Sequence, residues 1–199
     1  MFAQVIQGKT SDAEGFKRQM DRWEHELKPG AKGFVGSTGG IAPDGTVIAV
    51  VRFESEDAAN ANSARPEQGA WFEELRKYYD GEPTFINSSD TDVQGDPSDA
   101  AGFVQVMTYD VHDRKKLEEL EAKVIPELMK ARPDVLGQLR VWDGTRAIDF
   151  LYFTSEAEAR EGEKKLGSDP EMQKQMEEFM ALGSEPTFID LPDPILRSA

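Results

Sequence analysis

Phe2-Ala3-Gln4-Val5 returns as Phe103-Val104-Gln105-Val106, and the fold of this 199-residue chain follows from that recurrence. The same displacement pairs Phe16 with Leu117, Trp23 with Val124, Leu27 with Leu128 and Gly36 with Gly137. Further blocks follow in order: Asp44-Gly45-Thr46 with Asp143-Gly144-Thr145, Phe53-Glu54-Ser55-Glu56 with Phe153-Thr154-Ser155-Glu156, and Glu82-Pro83-Thr84-Phe85-Ile86 with Glu185-Pro186-Thr187-Phe188-Ile189. Ordered blocks whose spacing drifts only in loops are the mark of an internal duplication.

Each copy reads as the same string of elements. A first strand, about residues 2–8 and 103–110, alternates as a half-buried strand does. A helix follows, with Ser11 and Glu14 as an expected capping box. Its apolar residues Phe16, Met20, Trp23 and Leu27 share one face, as do Leu117, Leu120, Val124 and Leu128 in the second copy. Gly30 and Arg132-Pro133 end these helices. Two strands joined by Asp-Gly turns come next, around 33–41 with 46–53 and 134–142 with 145–153. Val47-Ile48-Ala49-Val50-Val51 is apolar on both faces, as a strand covered on both sides would be. Ser155 with Glu158, and Ser168 with Glu171 and Pro170, predict the starts of two further helices. A closing strand carries Thr84-Phe85-Ile86 or Thr187-Phe188-Ile189.

The order β-α-β-β-α-β is the ferredoxin-like, split-βαβ module of the α+β class. Such a module leaves one sheet face bare, and two fused copies bury theirs by packing sheet to sheet. The expected division is a first repeat over 1–88, an exposed linker over 89–101, a second repeat over 102–191 and a tail over 192–199. With both sheets in one chain, the expected state is a monomer with pseudo-dimeric intrachain packing.

Composition narrows the function classes. There are 23 basic and 38 acidic residues, a net charge of −15, which argues against nucleic acid as a partner. No run approaches the ~18 apolar residues of a membrane span. The opening residues enter a strand pattern directly, without a signal-peptide core, so a cytoplasmic protein is expected. With no cysteine and two histidines, neither thiolate chemistry nor a multi-histidine metal centre can be built, and no metal or other cofactor is expected. His25 lies two residues past Trp23, about 200° around the helix and away from the apolar face. His112 falls where the second copy's first strand meets its helix. Gly36-Ser37-Thr38-Gly39-Gly40 lacks the strand-to-helix setting of a phosphate loop and reads as part of a flexible hairpin.

The repeated Phe-x-Gln-Val strand, the Phe53 and Phe153 strand ends with their acidic helix starts, and the Glu-Pro-Thr-Phe-Ile closing strand resemble the dimeric α+β barrel superfamily in a tandem-fused form. Within it, the chain is most similar to the antibiotic biosynthesis monooxygenase-like group. The stretch Asn62-Ser63-Ala64-Arg65-Pro66-Glu67-Gln68-Gly69-Ala70-Trp71 resembles segments of uncharacterised actinobacterial members. The resemblance implies a ligand pocket between a sheet and its helices. The superfamily also holds haem-degrading enzymes, which use an Asn on the first strand and a helix-borne His. Here the first strands offer Gln4 and Gln105, which disfavours haem.

Differences between the copies mark candidate site residues. Trp71 faces Gln175 in the second copy, Arg52 corresponds to Tyr152, and Ala49 to Asp149. Positions kept only for packing diverge within an apolar class, so polar-for-apolar changes on strands are pocket candidates. Trp71 is expected as a stacking wall, with Asn62, Arg65 and Tyr78 near the pocket mouth. The competing reading makes Trp71, Phe72, Leu75, Tyr78 and Tyr79 a core stripe. Arg52 or Arg65 is a candidate to hold a substrate enolate or phenolate. The function expected is binding of a small, largely apolar or aromatic compound, with cofactor-independent monooxygenase chemistry as its enzymatic form. Two alternatives stay open: a non-catalytic binding or interaction protein, and an isomerase-type enzyme with Asp149 as its base.

Overall fold

The computed structural model describes residues 1–95 and 100–199. In chain order the first copy forms β1 (Phe2–Lys9), α1 (Ala13–Arg22), β2 (Phe34–Ile41), β3 (Thr46–Phe53), α2 (Glu56–Ser63), α3 (Pro66–Arg76) and β4 (Thr84–Ser88). The second forms β5 (Thr91–Gly95), β6 (Phe103–Asp110), α4 (Arg114–Ala131), β7 (Val135–Asp143), β8 (Arg146–Phe153), α5 (Glu156–Gly167), α6 (Pro170–Met180), β9 (Thr187–Leu191) and β10 (Ile195–Ser198). The chain divides into two compact units, residues 1–91 with 193–199, and residues 92–192.

Each unit carries a five-stranded sheet, ordered β10-β2-β3-β1-β4 in the first and β5-β7-β8-β6-β9 in the second. The registers repeat: Phe2 stands opposite Phe53 and Phe103 opposite Phe153. A bulge falls at Phe34/Gly36 in one copy and at Val135/Gly137 in the other. The fifth strands are the departure from the sequence reading. β5 lies in the segment expected as linker, and β10 in the segment expected as a tail. Residues 96–99 of that linker lie outside the described residues. The strand following the first repeat joins the second sheet, and the strand following the second repeat joins the first, so each otherwise free edge of β2 and β7 is paired.

Local chemistry sets the element ends. Asp12, rather than Ser11, caps α1 by accepting from Gly15 N at 2.8 Å, while the Ser11 hydroxyl donates to Asp80. Asp169 likewise displaces Ser168 as the cap of α6, accepting from the amides of Glu171 and Met172. Ser155 caps α5 as expected, with Glu158 returning to its hydroxyl. α1 runs on into a wider π-turn over Trp23–Leu27, which the Lys28 amide closes on the Trp23 carbonyl. The Gly36–Gly40 run lies within strand β2, where it pairs with β3 throughout and with β10 from Gly36 to Gly39.

Gly45 and Gly144 turn their hairpins with φ of 81° and 63°, a conformation that costs other residues about 1–2 kcal/mol. A Cβ on Gly45 would also come within 2.6 Å of the Thr10 carbonyl oxygen, whereas one on Gly144 would meet nothing within 4 Å. Gly45→Ala should therefore cost more than Gly144→Ala in equilibrium urea unfolding. Equal costs would show that the Thr10 contact relaxes freely.

The core of the first unit fills the space between its sheet and helices. Phe2, Phe34, Val47 and Phe53 from the strands meet Phe16, Trp23, Leu27, Trp71, Leu75 and Tyr79 from the helical side. The rings pack edge to face or tilted, Phe16 on Tyr79 and Trp23 on Phe34, each with centroids 5.1 Å apart. In the second unit Tyr109, Val111, Leu117, Trp142 and Ala147 form one cluster, and Phe103, Phe153 and Ala159 another.

Candidate functional site

Alternation along the strands decides which side chains reach the helices. Gln4 and Ile6 of β1, Ala49, Val51 and Phe53 of β3, and Ser37 and Gly39 of β2 project to the helix side. Between them and α1, α2 and α3 lies a cavity of about 260 Å³. Its walls are mainly apolar and aromatic, with Phe16, Met20, Trp23 and Trp71 from the helices and Phe85 from β4. Asn62, Gln68 and Arg197 are polar members of the lining.

The second unit shows why this space is open. Gly39 stands directly opposite Ala49, and Arg140 directly opposite Asp149. Carried along the repeat, Gly8 corresponds to Tyr109 and Met20 to Glu121. Four small or apolar positions of the first unit thus become an ionic network in the second. Arg140 Nε donates to Asp149 Oδ1 at 2.6 Å and Nη2 to Oδ2 at 2.8 Å. Its other bonds reach Glu121 at 2.7 and 3.0 Å and the Tyr109 hydroxyl at 2.8 Å. Tyr109 in turn donates to Asp149 Oδ2 at 3.0 Å. The Trp142 ring lies 5.3 Å from the guanidinium carbon. Burial opposes the charge on Arg140, but the hydrogen bonds and charge of Asp149 outweigh it and push the guanidinium pKa above its ordinary value. Burial first, then the Asp149 charge, pushes the Tyr109 hydroxyl far above the usual phenol range.

The candidate residues separate accordingly. Trp71 is 8% exposed, lines the cavity and donates its indole N–H to the Gln19 carbonyl at 2.9 Å. Asn62 also lines the cavity. Its Oδ1 accepts from Arg65 at 2.8 Å. Arg65 is not part of the wall. Its guanidinium clamps the Leu27 carbonyl, Asn62 and Glu67, tying the end of the π-turn to the start of α3. Tyr78 packs its ring over Gly15, and its carbonyl accepts from the Thr10 hydroxyl, also outside the wall. Arg52 is out of phase with Val51 and Phe53, so it points to the other face of the sheet, where its guanidinium lies over Gly36. Asp149 is wholly buried and both its oxygens already accept hydrogen bonds, so it is not free to serve as a base.

Arg197 escaped the sequence reading. It lies in the expected tail, and only the pairing of β10 with β2 brings it to the cavity. The available signal was the repeat itself, since the tail occupies the place after the second closing strand that Thr91–Gly95 occupies after the first. His25 and His112 are both exposed. Among the described residues no group of three or more acidic or histidine side chains is placed to hold a metal ion, and no helix is long and apolar enough to cross a membrane.

The architecture, two α+β units in one chain, is shared over its whole length with solved structures of proteins named as monooxygenases. A "putative monooxygenase" from Fusobacterium nucleatum superposes with a TM-score of 0.79, covering 99% of this chain and 94% of that one at 10% identity. A "putative monooxygenase" from Lactobacillus acidophilus gives 0.72, with 98% of each chain covered at 12% identity. An "anthrone oxidase-like protein" gives 0.64, covering 100% of this chain and 91% of that one at 10% identity. At such identities the likeness is one of fold. No family model matches the sequence, and no curated protein matches it.

Proposed function

We propose that the first unit binds a small, largely apolar aromatic compound between its sheet and helices and oxidises it as a cofactor-independent monooxygenase. The carrying observation is the aromatic-walled cavity, held open by Gly39 and Ala49 where the second unit places Arg140 and Asp149. Its volume of about 260 Å³ lies just below the range of about 300–1,000 Å³ common among ligand pockets, which favours a compact ring system. The shared fold with proteins named as monooxygenases supports the reaction class.

In such a reaction the substrate supplies every electron. An acidic ring CH₂ loses a proton, and the carbanion passes one electron to O₂. The resulting radical pair joins to form the C–O bond. The peroxide takes up the proton and then loses water, leaving a carbonyl in place of the CH₂. One O₂ is consumed, with one oxygen atom in the product and one in water. The walls contribute by holding the ring and excluding bulk water from the carbanion.

Anthrone is a suitable probe because its central CH₂ has this reactivity. The expected result is one O₂ taken up per anthraquinone formed, faster than the uncatalysed oxidation. Ala49→Phe should cut this uptake at least ten-fold by filling the cavity. Because the ring enters open space, its stability cost should be less than the about 1–3 kcal/mol of overpacking a closed core. Binding of anthrone without oxygen uptake would replace the enzymatic reading with a non-catalytic binding protein. Wild-type uptake in Ala49→Phe would remove the cavity from the reaction.

A further inference from the structure

Arg197 belongs to β10 and stands opposite Ser37 of β2, in the phase that faces the helices, and it lines the cavity. The residue is 7% exposed. Its Nε lies 2.6 Å from Glu24 Oε2, and its Nη2 donates to Asp21 Oδ1 at 3.3 Å. Its Nη1 is buried and has no acceptor among the described residues. A guanidinium carries five donors, and a buried one left without an acceptor is costly, so a group that supplies an oxygen there gains affinity.

We propose that Arg197 is the polar anchor of this cavity, and that the occupant is an aromatic compound bearing an uncharged carbonyl or phenolic oxygen. The inference rests on the small-molecule reading above and adds the class of ligand. The surroundings decide the charge. Glu24, whose other oxygen is held by Lys28, and Asp21 already face the guanidinium with their carboxylates, and the whole chain carries −15. A ligand carboxylate or phosphate would be brought against both acids, whereas a neutral oxygen accepts the free N–H without that repulsion. The rest of the wall, Trp71, Trp23, Phe16 and Met20, suits a flat apolar ring.

Three probes of one ring size test this by equilibrium dialysis: 2-naphthol, 2-methylnaphthalene and 2-naphthoate. The expected result is that 2-naphthol binds about ten-fold or more tighter than either of the others, the gain typical of a hydrogen bond to a charged donor. Arg197→Met should erase that preference while 2-methylnaphthalene still binds, which shows that the cavity is intact. Arg197→Lys should keep part of the preference. Equal binding of 2-naphthol and 2-methylnaphthalene by the wild type overturns the anchor and leaves the pocket standing. Tightest binding of 2-naphthoate overturns the choice of an uncharged oxygen. Failure of all three to bind overturns the pocket reading and the anchor with it. The wild-type comparison decides the matter even if Arg197→Met does not fold.

Discussion

Asp149→Ala is expected to destabilise the second unit by about 3 kcal/mol, the lower end of the about 3–5 kcal/mol range for breaking a buried ion pair. The loss comes from what remains. Arg140 stays in the core with its strongest partner gone, and Tyr109 loses the acceptor of its hydroxyl proton. Glu121 still holds two guanidinium nitrogens from the solvent side, which limits the damage. Urea unfolding gives the size of the effect, and hydrogen exchange of β7 and β8 amides assigns it to this unit. Removing the three buried members together, with Arg140→Leu, Asp149→Leu and Tyr109→Phe, should recover most of the loss, because apolar groups need no partners and Glu121 reaches solvent. A loss below about 1 kcal/mol in Asp149→Ala would mean that water reaches Arg140 and that the network is not a closed plug.

Trp71→Ala is the second large effect, and it falls on stability and binding together. Truncating a buried Trp costs about 3–5 kcal/mol. Here the lower end is expected, because one side of the indole already borders the cavity and fewer packed neighbours are lost. The Gln19 carbonyl is not orphaned, since the Trp23 amide also donates to it. Ligand affinity should fall at least ten-fold, as one of the two indoles of the wall is removed. Trp71→Phe is the milder change: it keeps one aromatic ring in the wall and gives up the bond to Gln19, about 1 kcal/mol, together with the rest of the indole. Thermal unfolding beside titration with 2-naphthol checks both. Full affinity in Trp71→Ala would make the residue a core component alone.

Trp71 belongs to the core cluster and also borders the cavity. The contrast with Gln175 was legible in the two copies, and so was the change from Ala49 to Asp149. What the contrast meant was not. Asp149 marks the copy whose space is filled, and its charge serves packing, because Arg140 stands opposite it on β7. Finding that pair from sequence requires the cross-strand register, and the change from Gly39 to Arg140 shows its sense only beside Asp149. Arg52 and Arg65 were read as cations near a pocket. Strand phase turns the first to the other face, and the backbone of Leu27 engages the second.

The duplication, the α+β element order, the helix faces and the Asp-Gly hairpins were set by the amino-acid sequence alone. Each depends on neighbours within one turn of helix or one strand pair, where spacing and side-chain chemistry act directly. The shift of two helix caps by one residue is within the same local physics, where Asp competes with Ser for the same amide groups. Tertiary structure decided the rest: the exchange of β5 and β10 between the sheets, the open cavity of the first unit and the arrival of Arg197 in its wall. These depend on which distant segments pair, and backbone hydrogen bonds along a sheet edge leave almost no trace in side-chain pattern. A short strand such as Ile195–Ser198 therefore reads as a tail until its partner strand is known.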